Sequence, residues 1–446
     1  MAAVAPAGRR VKRLYESGRR LVELAEGRNI VIQGVTMAVT FPASLLISRN
    51  LGPAGRGAYS LTAMSAAVAA LVAGMGIGDA VPYLLARTGT DRGAEPVLLG
   101  TLLRAAGIVA AVYLLISWPM LRLLGVPPTP GLMAGGTLMV LLMAIWPFWL
   151  NAGTARARTA LPLKAEALRV SVYLAAAVAA IAAGVLTAET TLAAYAISLI
   201  VAGTVVIGRM RPRMRHSDAV DAGQLRREAV RLGWRGMVAR LLEYGASRGD
   251  AFVIGAIAGP AAAGAYITAT GISDPVSLIS SANAPPVLHR LSTDAASGRH
   301  WGKYLTSRLF GSAAVALVAA LALCAVAAVL VHAALGPRFA SAIAPLRILA
   351  ISAVFLTTTR LMRQANFALG RMSANWGADA VSIAVLVVGN ALFLRRDGIT
   401  AAAFVMLTAN ATGVLLLGTG LAWASHRHAA LHPIVTVVPS PAESVL

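Results

Sequence analysis

The sequence predicts an all-α polytopic membrane protein with about 12 transmembrane helices in two six-helix lobes, related by a pseudo-two-fold axis along the membrane normal. Three observations lead to this fold class: an apolar composition, apolar segments long enough to cross a bilayer, and a motif that occurs twice. Hydrophobic residues make up 58% of the 446 residues and charged residues only 13%, whereas a soluble chain carries about 25% charged residues. This composition excludes a globular cytosolic enzyme and a disordered basic tail that binds nucleic acid.

Twelve segments are apolar over roughly the 20 residues that a helix needs to cross the hydrocarbon core. Glycine, proline or clustered charges separate them. Approximately, they cover 28–49, 59–86, 97–118, 131–152, 167–187, 190–209, 233–257, 264–288, 305–332, 340–364, 372–394 and 399–425. The first apolar run continues through a full span, so no cleavable signal peptide is expected. The single cysteine, Cys324, excludes disulfides within the chain and a cysteine-based metal site, and no cofactor is predicted.

The net charge of +21 is explained mainly by loop arginines that set the orientation in the membrane. With the N-terminus inside, 31 of the 39 Lys and Arg residues fall in inner segments and six in outer ones, which leaves Arg248 and Arg347 within spans. An excess of basic residues marks cytoplasmic loops. We therefore expect a multi-pass protein of the bacterial cytoplasmic membrane with both termini in the cytoplasm.

A glycine–proline motif occurs once in each half of the chain. LGPAGRGAY at residues 51–59 and AGPAAAGAY at residues 258–266 match at six positions with an offset of 207. Glycine and proline end one helix and begin the next, while small residues let two backbones approach closely. The motif tyrosines, Tyr59 and Tyr266, are expected at the membrane–water interface. Six helices per half is an even number, so both halves share one orientation, and substrate sites in such proteins lie near the midplane between the repeats.

The predicted organisation has five parts: a basic amphipathic cytoplasmic segment at 1–27, an N-terminal lobe at 28–209, a cytoplasmic linker at 210–232, a C-terminal lobe at 233–425 and a disordered cytoplasmic tail at 426–446. Arginines in 9–28 alternate with apolar residues at roughly helical spacing. This segment either lies on the anionic inner leaflet as an amphipathic helix or only anchors the topology.

Three stretches carry a resemblance to a known family: LLISRNLGPAGRGAYSL, SRGDAFVIGAIAGPAAAGAY and LGPRFASAIAPLRILAISA. Over roughly 28–425 the chain resembles the polysaccharide biosynthesis (oligosaccharide flippase) family. That family belongs to the multidrug/oligosaccharidyl-lipid/polysaccharide exporter superfamily. The resemblance implies an alternating-access transporter that moves an undecaprenyl-diphosphate-linked oligosaccharide from the inner to the outer leaflet.

Charged residues inside spans are the candidates for function, because each costs about 2.5–3.5 kcal/mol at mid-bilayer on insertion scales. Glu243, Arg248 and Asp250 cluster in the seventh span. Positions i and i+2 do not share a helix face, so Arg248 and Asp250 are expected to have separate partners or to face one wet cavity. Guanidinium suits a diphosphate, and Asp250 is a candidate for taking protons or a cation. The structural alternative for this cluster is an interhelical salt bridge.

Other charged and helix-bending positions extend the predicted site. Arg347 either contacts substrate with Arg248 or snorkels to the outer interface. Asp274 precedes Pro275, and a proline kink frees a backbone carbonyl for a cation. Asp79, which follows three closely spaced glycines, and Asp379, which shares its span with Asn375, are candidates for coupling or gating. Pro42 and Pro275 are the predicted hinges. The glycines at 74, 76 and 78 indicate close helix packing rather than a nucleotide loop.

Three functions remain open from the residues. The leading one is a flippase for lipid-linked oligosaccharide that is not an enzyme and works with membrane lipids and with the polymerase and glycosyltransferases of its pathway. The second is a cation-coupled multidrug extruder, against which the span arginines argue mildly. The third is a membrane polymerase or glycosyltransferase, for which only Asp397 and Glu189 offer outer carboxylates. The chain has no Walker A motif, and no nucleic-acid partner is expected.

Overall fold

A computed structural model describes residues 7–88, 94–156, 160–210, 221–297 and 300–431, with side chains from residue 40 onward. Within these ranges the regular structure is helical, which confirms the predicted all-α class. The helices are α1 (Ala7–Gly74), α2 (Ile77–Thr88), α3 (Ala94–Leu123), α4 (Pro130–Ala155), α5 (Ala160–Ala182), α6 (Ala188–Met210), α7 (Ala222–Ser277), α8 (Ile279–Ala296), α9 (Gly302–Ala334), a 3-10 helix (Pro337–Ala342), α10 (Ile343–Ala368) and α11 (Met372–Leu431).

Nine segments of the described residues are long and apolar enough to cross a membrane. Three of them run through one glycine with non-helical backbone angles: Gly52 in α1, Gly259 in α7 and Gly398 in α11. Their φ angles of 68°, 83° and 63° lie in the region that glycine adopts without a Cβ clash. Dividing each of the three at its glycine yields twelve spans. The chain is therefore a multi-pass membrane protein, and about twelve spans is the right number once these turns are recognised.

The two repeated glycine–proline turns pack against each other in a reciprocal way. A Cβ at Gly57 would lie 1.7 Å from the carbonyl oxygen of Pro260, and a Cβ at Gly264 would lie 1.9 Å from that of Pro53. Neither position has room for any side chain. The close backbone approach predicted from the small residues of the motif is confirmed.

Of the three glycines predicted to serve close helix packing, Gly76 and Gly78 do so, whereas a Cβ at Gly74 would meet nothing within 4 Å. Met75 and Gly76 separate α1 from α2 with positive φ angles of 46° and 65°. A Cβ at Gly76 would lie 1.9 Å from the carbonyl oxygen of Gly233 in α7, and one at Gly78 would lie 3.2 Å from Pro147. The helix break thus brings the start of α2 against two other helices.

The chain forms two compact units. The first consists of Met1–Asn50, Thr62–Trp118 and Pro128–Met237, and the second of Leu51–Leu61, Pro119–Pro127 and Val238–Leu446. The first has its own apolar core around Leu84, Leu98 and Phe148. The second has cores around Leu291 and Leu361 and around Ala316 and Ala350. The lobe boundaries at 28–209 and 233–425 stay a prediction.

Several predicted parts fall wholly or partly outside the described residues. The tail beyond Leu431 and residues 211–220 of the linker lie outside them, whereas the rest of the linker enters α7. Helix α7 begins after Asp221, whose Oδ1 accepts hydrogen bonds from the backbone N–H groups of Gly223 (2.8 Å) and Gln224 (3.0 Å). These bonds favour the ionised form and lower the pKa of Asp221. Residues 9–28 are helical as part of α1, but their side chains lie outside the described set, so both interpretations of this segment stay open.

The two predicted hinges differ in their surroundings. Pro42 lies in unbroken helical backbone of α1. Pro275 lies three residues before Leu278, the single residue that separates α7 from α8, and its carbonyl accepts a bond from the Leu278 N–H (3.2 Å). The Leu278 N–H thus closes a three-residue turn on Pro275 where α7 ends. Both hinge roles stay predictions.

Candidate functional site

Arg248 and Asp274 form an ion pair across the two arms of α7. Nη2 of Arg248 lies 2.5 Å from Oδ2 of Asp274, and the side chains are 31% and 32% exposed. Arg248 lies eleven residues before Gly259 and Asp274 fourteen residues after Pro260, which by helix rise is about 16–21 Å from the turn. The pair is therefore deep within the span, and both side chains are partly exposed.

Asp250 has a partner of its own, as its spacing from Arg248 predicted. Its side chain is only 2% exposed, and it accepts hydrogen bonds from the Tyr266 hydroxyl and from the backbone N–H of Ala251 (2.8 Å). Tyr266 is the tyrosine of the second repeat motif, and it is 1% exposed. The predicted interfacial place for this ring is wrong, because a hydroxyl that satisfies a buried carboxylate belongs in the protein interior.

Arg360 of α10 belongs to the same group of charges, although the sequence interpretation counted it as a loop residue. Its Nη1 donates to the Ser277 hydroxyl over 2.7 Å, and it interacts electrostatically with Asp274 and Arg248. Among the described residues, its direct hydrogen-bond partner is thus a neutral hydroxyl rather than a carboxylate. Arg360 therefore contributes a positive charge that has no direct hydrogen bond to a carboxylate in the described residues.

Arg363, one turn further along α10, brings together two of the predicted carboxylates. Its Nη2 donates to Asp379 of α11, and its Nη1 lies 3.7 Å from Oε1 of Glu243 in α7. Asp379 is almost fully buried, whereas Glu243 is 53% exposed. Nε of Arg363 is buried and has no hydrogen-bond partner in the described part of the chain. Asn375 supports this arginine by donating to its backbone carbonyl (3.2 Å).

Arg360 and Arg363 are the residues that sequence analysis missed. They are three residues apart, so they share one face of α10, and both lie within the span rather than beyond it. Their distances from Ala368, the last residue of α10, correspond to about 12 and 8 Å by helix rise. The position of both arginines inside the span could have identified them as candidates from the sequence. They were missed because the charge count assigned them to a loop.

Two predicted residues lie elsewhere. Arg347 is exposed on α10, and its backbone carbonyl accepts a hydrogen bond from the Cys324 thiol of α9 (3.3 Å). Asp79 is exposed in the first turn of α2 and belongs to the first unit. One carboxylate oxygen of Asp79 lies 3.8 Å from where a Cβ at Gly236 would be. The structure therefore groups Glu243, Arg248, Asp274 and Asp379 in the second unit with two arginines that were not predicted.

We call this group the arginine cluster; it consists of Arg248, Arg360 and Arg363 with the carboxylates Glu243, Asp274 and Asp379. Its chemistry is charge pairing. In the ranges described, no three His, Cys, Asp or Glu residues come together as metal ligands. Guanidinium groups form paired, charge-assisted hydrogen bonds with carboxylates and phosphates alike. A phosphate-bearing ligand can therefore replace Asp274 or Glu243 as partner without leaving an arginine unpaired.

Glu189, a carboxylate that the enzymatic hypothesis needs, serves a structural purpose. It accepts a hydrogen bond from the hydroxyl of Thr129, the residue before α4, and a Cβ at Gly131 would lie 2.3 Å from its carboxylate. A carboxylate at a helix N-terminus is stabilised by the helix dipole. Glu189 thus holds α6 against the start of α4.

Comparison with known proteins places the chain in a family. The family model described as polysaccharide biosynthesis protein matches residues 46–344. No curated protein sequence matches the chain. The structure is similar to an inward-facing multidrug resistance MATE family transporter of the MOP superfamily, with 14% identity, a TM-score of 0.69 and coverage of 90% of this chain and 98% of the other.

Two further solved structures have the same fold. For the lipid II flippase MurJ in an inward closed conformation, identity is 11%, the TM-score is 0.71, and 88% of this chain and 87% of the other are covered. For the Vibrio cholerae MATE transporter VcmN in its bent form, the values are 17%, 0.55, 90% and 99%. The fold is therefore that of these membrane transporters. Because the family model covers well over half of the residues, the chain belongs to the polysaccharide biosynthesis protein family.

Proposed function

We propose that this protein moves a polyprenyl-diphosphate-linked oligosaccharide from the inner to the outer leaflet of the cytoplasmic membrane, by alternating access, for the synthesis of cell-surface polysaccharide. Family membership and the likeness to a protein named as a lipid II flippase support this proposal. The observation that carries it is the arginine cluster. Three arginines within the spans cost free energy in a membrane, and binding of a diphosphate headgroup would account for their presence.

The contacts of the three arginines suit a diphosphate in complementary ways. Arg248 is reachable, since its side chain is 31% exposed. Arg360 has a neutral partner in Ser277, and Arg363 has a spare buried donor at Nε. The substrate would bind where the arginines can exchange a carboxylate for a phosphate oxygen, with the polyprenyl tail left in lipid. Arg347, exposed on α10, stays a predicted second contact.

In this proposal the carboxylates of the cluster return the site to its substrate-free state. Without substrate, Asp274, Asp379 and Glu243 neutralise the arginines at short range. When a diphosphate takes over Arg248, the released Asp274 would take up a proton or a cation, and Asp250, Glu243, Asp379 and Asp79 are further candidates for this coupling. Departure of the substrate restores the ion pair and resets the site. Consumption of the product by polymerase and glycosyltransferases of the same pathway would also pull the cycle forward.

The alternative function is cation-coupled extrusion of drugs. The two MATE transporters with the same fold favour it, and Glu243, which is 53% exposed, offers a carboxylate to a cationic substrate. The two functions predict opposite roles for the arginines. An anionic lipid needs them for binding, whereas a cationic dye is repelled by them.

The test is flipping of a fluorescent polyprenyl-diphosphate oligosaccharide in proteoliposomes, scored by the accessibility of the label in each leaflet. We expect Arg360→Gln and Arg248→Gln to reduce the rate at least about tenfold, because each removes a charge-assisted bond to phosphate. Arg308→Gln is the matched control, since Arg308 is exposed and stacks on Tyr304 away from the cluster. Equal rates in wild type and both cluster variants would overturn the proposed site.

A further inference from the structure

A second charged group lies within the spans of the first unit. Arg169 and Glu166 are three residues apart on α5, and Nε of Arg169 donates to Oε2 of Glu166 over 3.0 Å. The guanidinium of Arg169 stacks on the ring of Tyr195 in α6 at 5.0 Å, and Tyr173 of α5 meets the same ring edge-on at 5.5 Å. Two charges and two aromatic rings thus share one site between α5 and α6.

Arg169 and Tyr195 both lie more than one turn inside their helices. Tyr195 lies seven residues from Ala188, where α6 begins at the α5–α6 turn, and fifteen residues from Met210 at its other end, or about 10 and 22 Å. Arg169 lies thirteen residues from Ala182 on α5, about 20 Å from that turn. Its guanidinium lies between Glu166, one turn toward the start of α5, and the ring of Tyr195 on α6. Arg169 thus lies within α5, and its assignment to the inner face by loop counting stays a prediction.

The chemistry of the group fits an uncharged, hydroxyl-rich ligand. The guanidinium of Arg169 and the carboxylate of Glu166, side by side, offer hydrogen-bond donors and acceptors to hydroxyl groups. Tyrosine rings provide flat apolar surface with a polar edge. Glu166 is 36% exposed and Arg169 is 12% exposed, so the carboxylate is the accessible part of the pair.

We propose that Glu166, Arg169, Tyr173 and Tyr195 form a saccharide-binding site, which contacts the glycan of the lipid-linked substrate. The inference rests on the proposed function and adds to it a place where glycan, rather than diphosphate or lipid tail, is recognised. Placing the charged pair within a span costs free energy. Packing of α5 against α6 does not require this cost, because apolar residues would pack as well, whereas ligand binding by the pair accounts for it. It follows that the length and hydroxyl pattern of the glycan set the transport rate through this site.

The experiment compares two substrates in proteoliposomes with the full chain. One is the lipid-linked oligosaccharide pool extracted from the cells that produce this protein, and the other is the same pool trimmed by glycosidases to a single sugar on polyprenyl diphosphate. For Glu166→Gln and Tyr195→Leu we expect about a tenfold or larger fall in the flipping rate of the full glycan, because bonds to charged groups and ring contacts are lost. The rate for the trimmed lipid should change less than about threefold.

Two further variants separate binding from folding. Tyr195→Phe keeps the ring and Arg169→Lys keeps the charge, so both should retain the thermal midpoint of wild type while Arg169→Lys loses rate on the full glycan only. Tyr304→Leu is the matched control, because Tyr304 also stacks with arginines, Arg290 (4.3 Å) and Arg308 (5.4 Å), but in the second unit. A fall of equal size for both substrates, or no fall for either, overturns the saccharide site. If wild type moves neither substrate, the proposed function itself fails.

Discussion

Exchanging the charges of Arg248 and Asp274 tests whether this pair serves transport or only holds the two arms of α7 together. Removing one partner of a fully buried ion pair costs about 3–5 kcal/mol, whereas an exposed pair contributes about 0–1 kcal/mol. With 31% and 32% of the two side chains exposed, this pair lies between these limits. We therefore expect Arg248→Ala to lower the free energy of unfolding by about 2 kcal/mol.

The double variant Arg248→Asp with Asp274→Arg restores opposite charges at the same two positions. Its stability should recover at least about half of the loss, measured by denaturant unfolding in detergent. Its flipping rate should stay at least about tenfold below wild type, because the guanidinium then projects from the other arm and meets the diphosphate in the wrong place. Arg290 and Asp294, a pair on α8 at 3.5 Å whose arginine is 60% exposed, provide the matched exchange, which should leave the flipping rate unchanged. Transport that returns to the wild-type rate in the Arg248 and Asp274 exchange would refute the reasoning and leave a structural salt bridge.

Three further outcomes follow from single contacts. Gly264→Ala should lower the thermal midpoint, because its Cβ would lie 1.9 Å from a backbone carbonyl of the other glycine–proline turn. Gly271→Ala, which has open space around its Cβ, should leave the midpoint unchanged or raise it. Equal effects of the two variants would contradict the packing of the turns. Tyr266→Phe should lower the free energy of unfolding by about 1–3 kcal/mol, because it removes a hydrogen bond to buried Asp250. The loss should be smaller in an Asp250→Asn background. An equal loss in both backgrounds would show that the hydroxyl acts elsewhere. Because the pKa of Asp221 is lowered in the folded protein, its contribution to stability is present above the unfolded pKa and is lost as pH falls through the folded one. Asp221→Ala should therefore be less stable than wild type at pH 7, and the difference should shrink as the pH falls below the ordinary aspartate pKa. A difference that does not shrink with falling pH would exclude the cap as its source.

The fold followed from the sequence because its determinants are local. Apolar length predicted the spans, and the repeated turn at Gly52 and Gly259 was readable because only glycine tolerates their positive φ angles. The spacing of Arg248 and Asp250 predicted either separate partners or one shared wet cavity, since two residues apart on a helix do not share a face, and the structure shows separate partners.

The contents of the site depended on tertiary neighbours, which local pattern does not specify. Arg360 and Arg363 looked like topology signals near the end of a span, and only the packing of α10 against α7, α8 and α11 reveals their partners. Tyr266 looked interfacial by depth but turns inward toward Asp250. Arg169 was placed by its proximity to a loop, whereas the structure shows its partners, Glu166 on its own helix and the ring of Tyr195 on α6. Side-chain direction and helix adjacency are the two quantities that charge counting lacks.

The most direct test of the central claim measures two substrates in the same wild-type proteoliposomes. A fluorescent polyprenyl-diphosphate oligosaccharide reports movement between leaflets, and a cationic dye reports extrusion, each with and without a proton or sodium gradient. The account predicts that the lipid-linked oligosaccharide changes leaflet at a rate well above that of protein-free vesicles, and that the dye does not move. Extrusion of the dye with no movement of the lipid would contradict the account and identify a cation-coupled extruder.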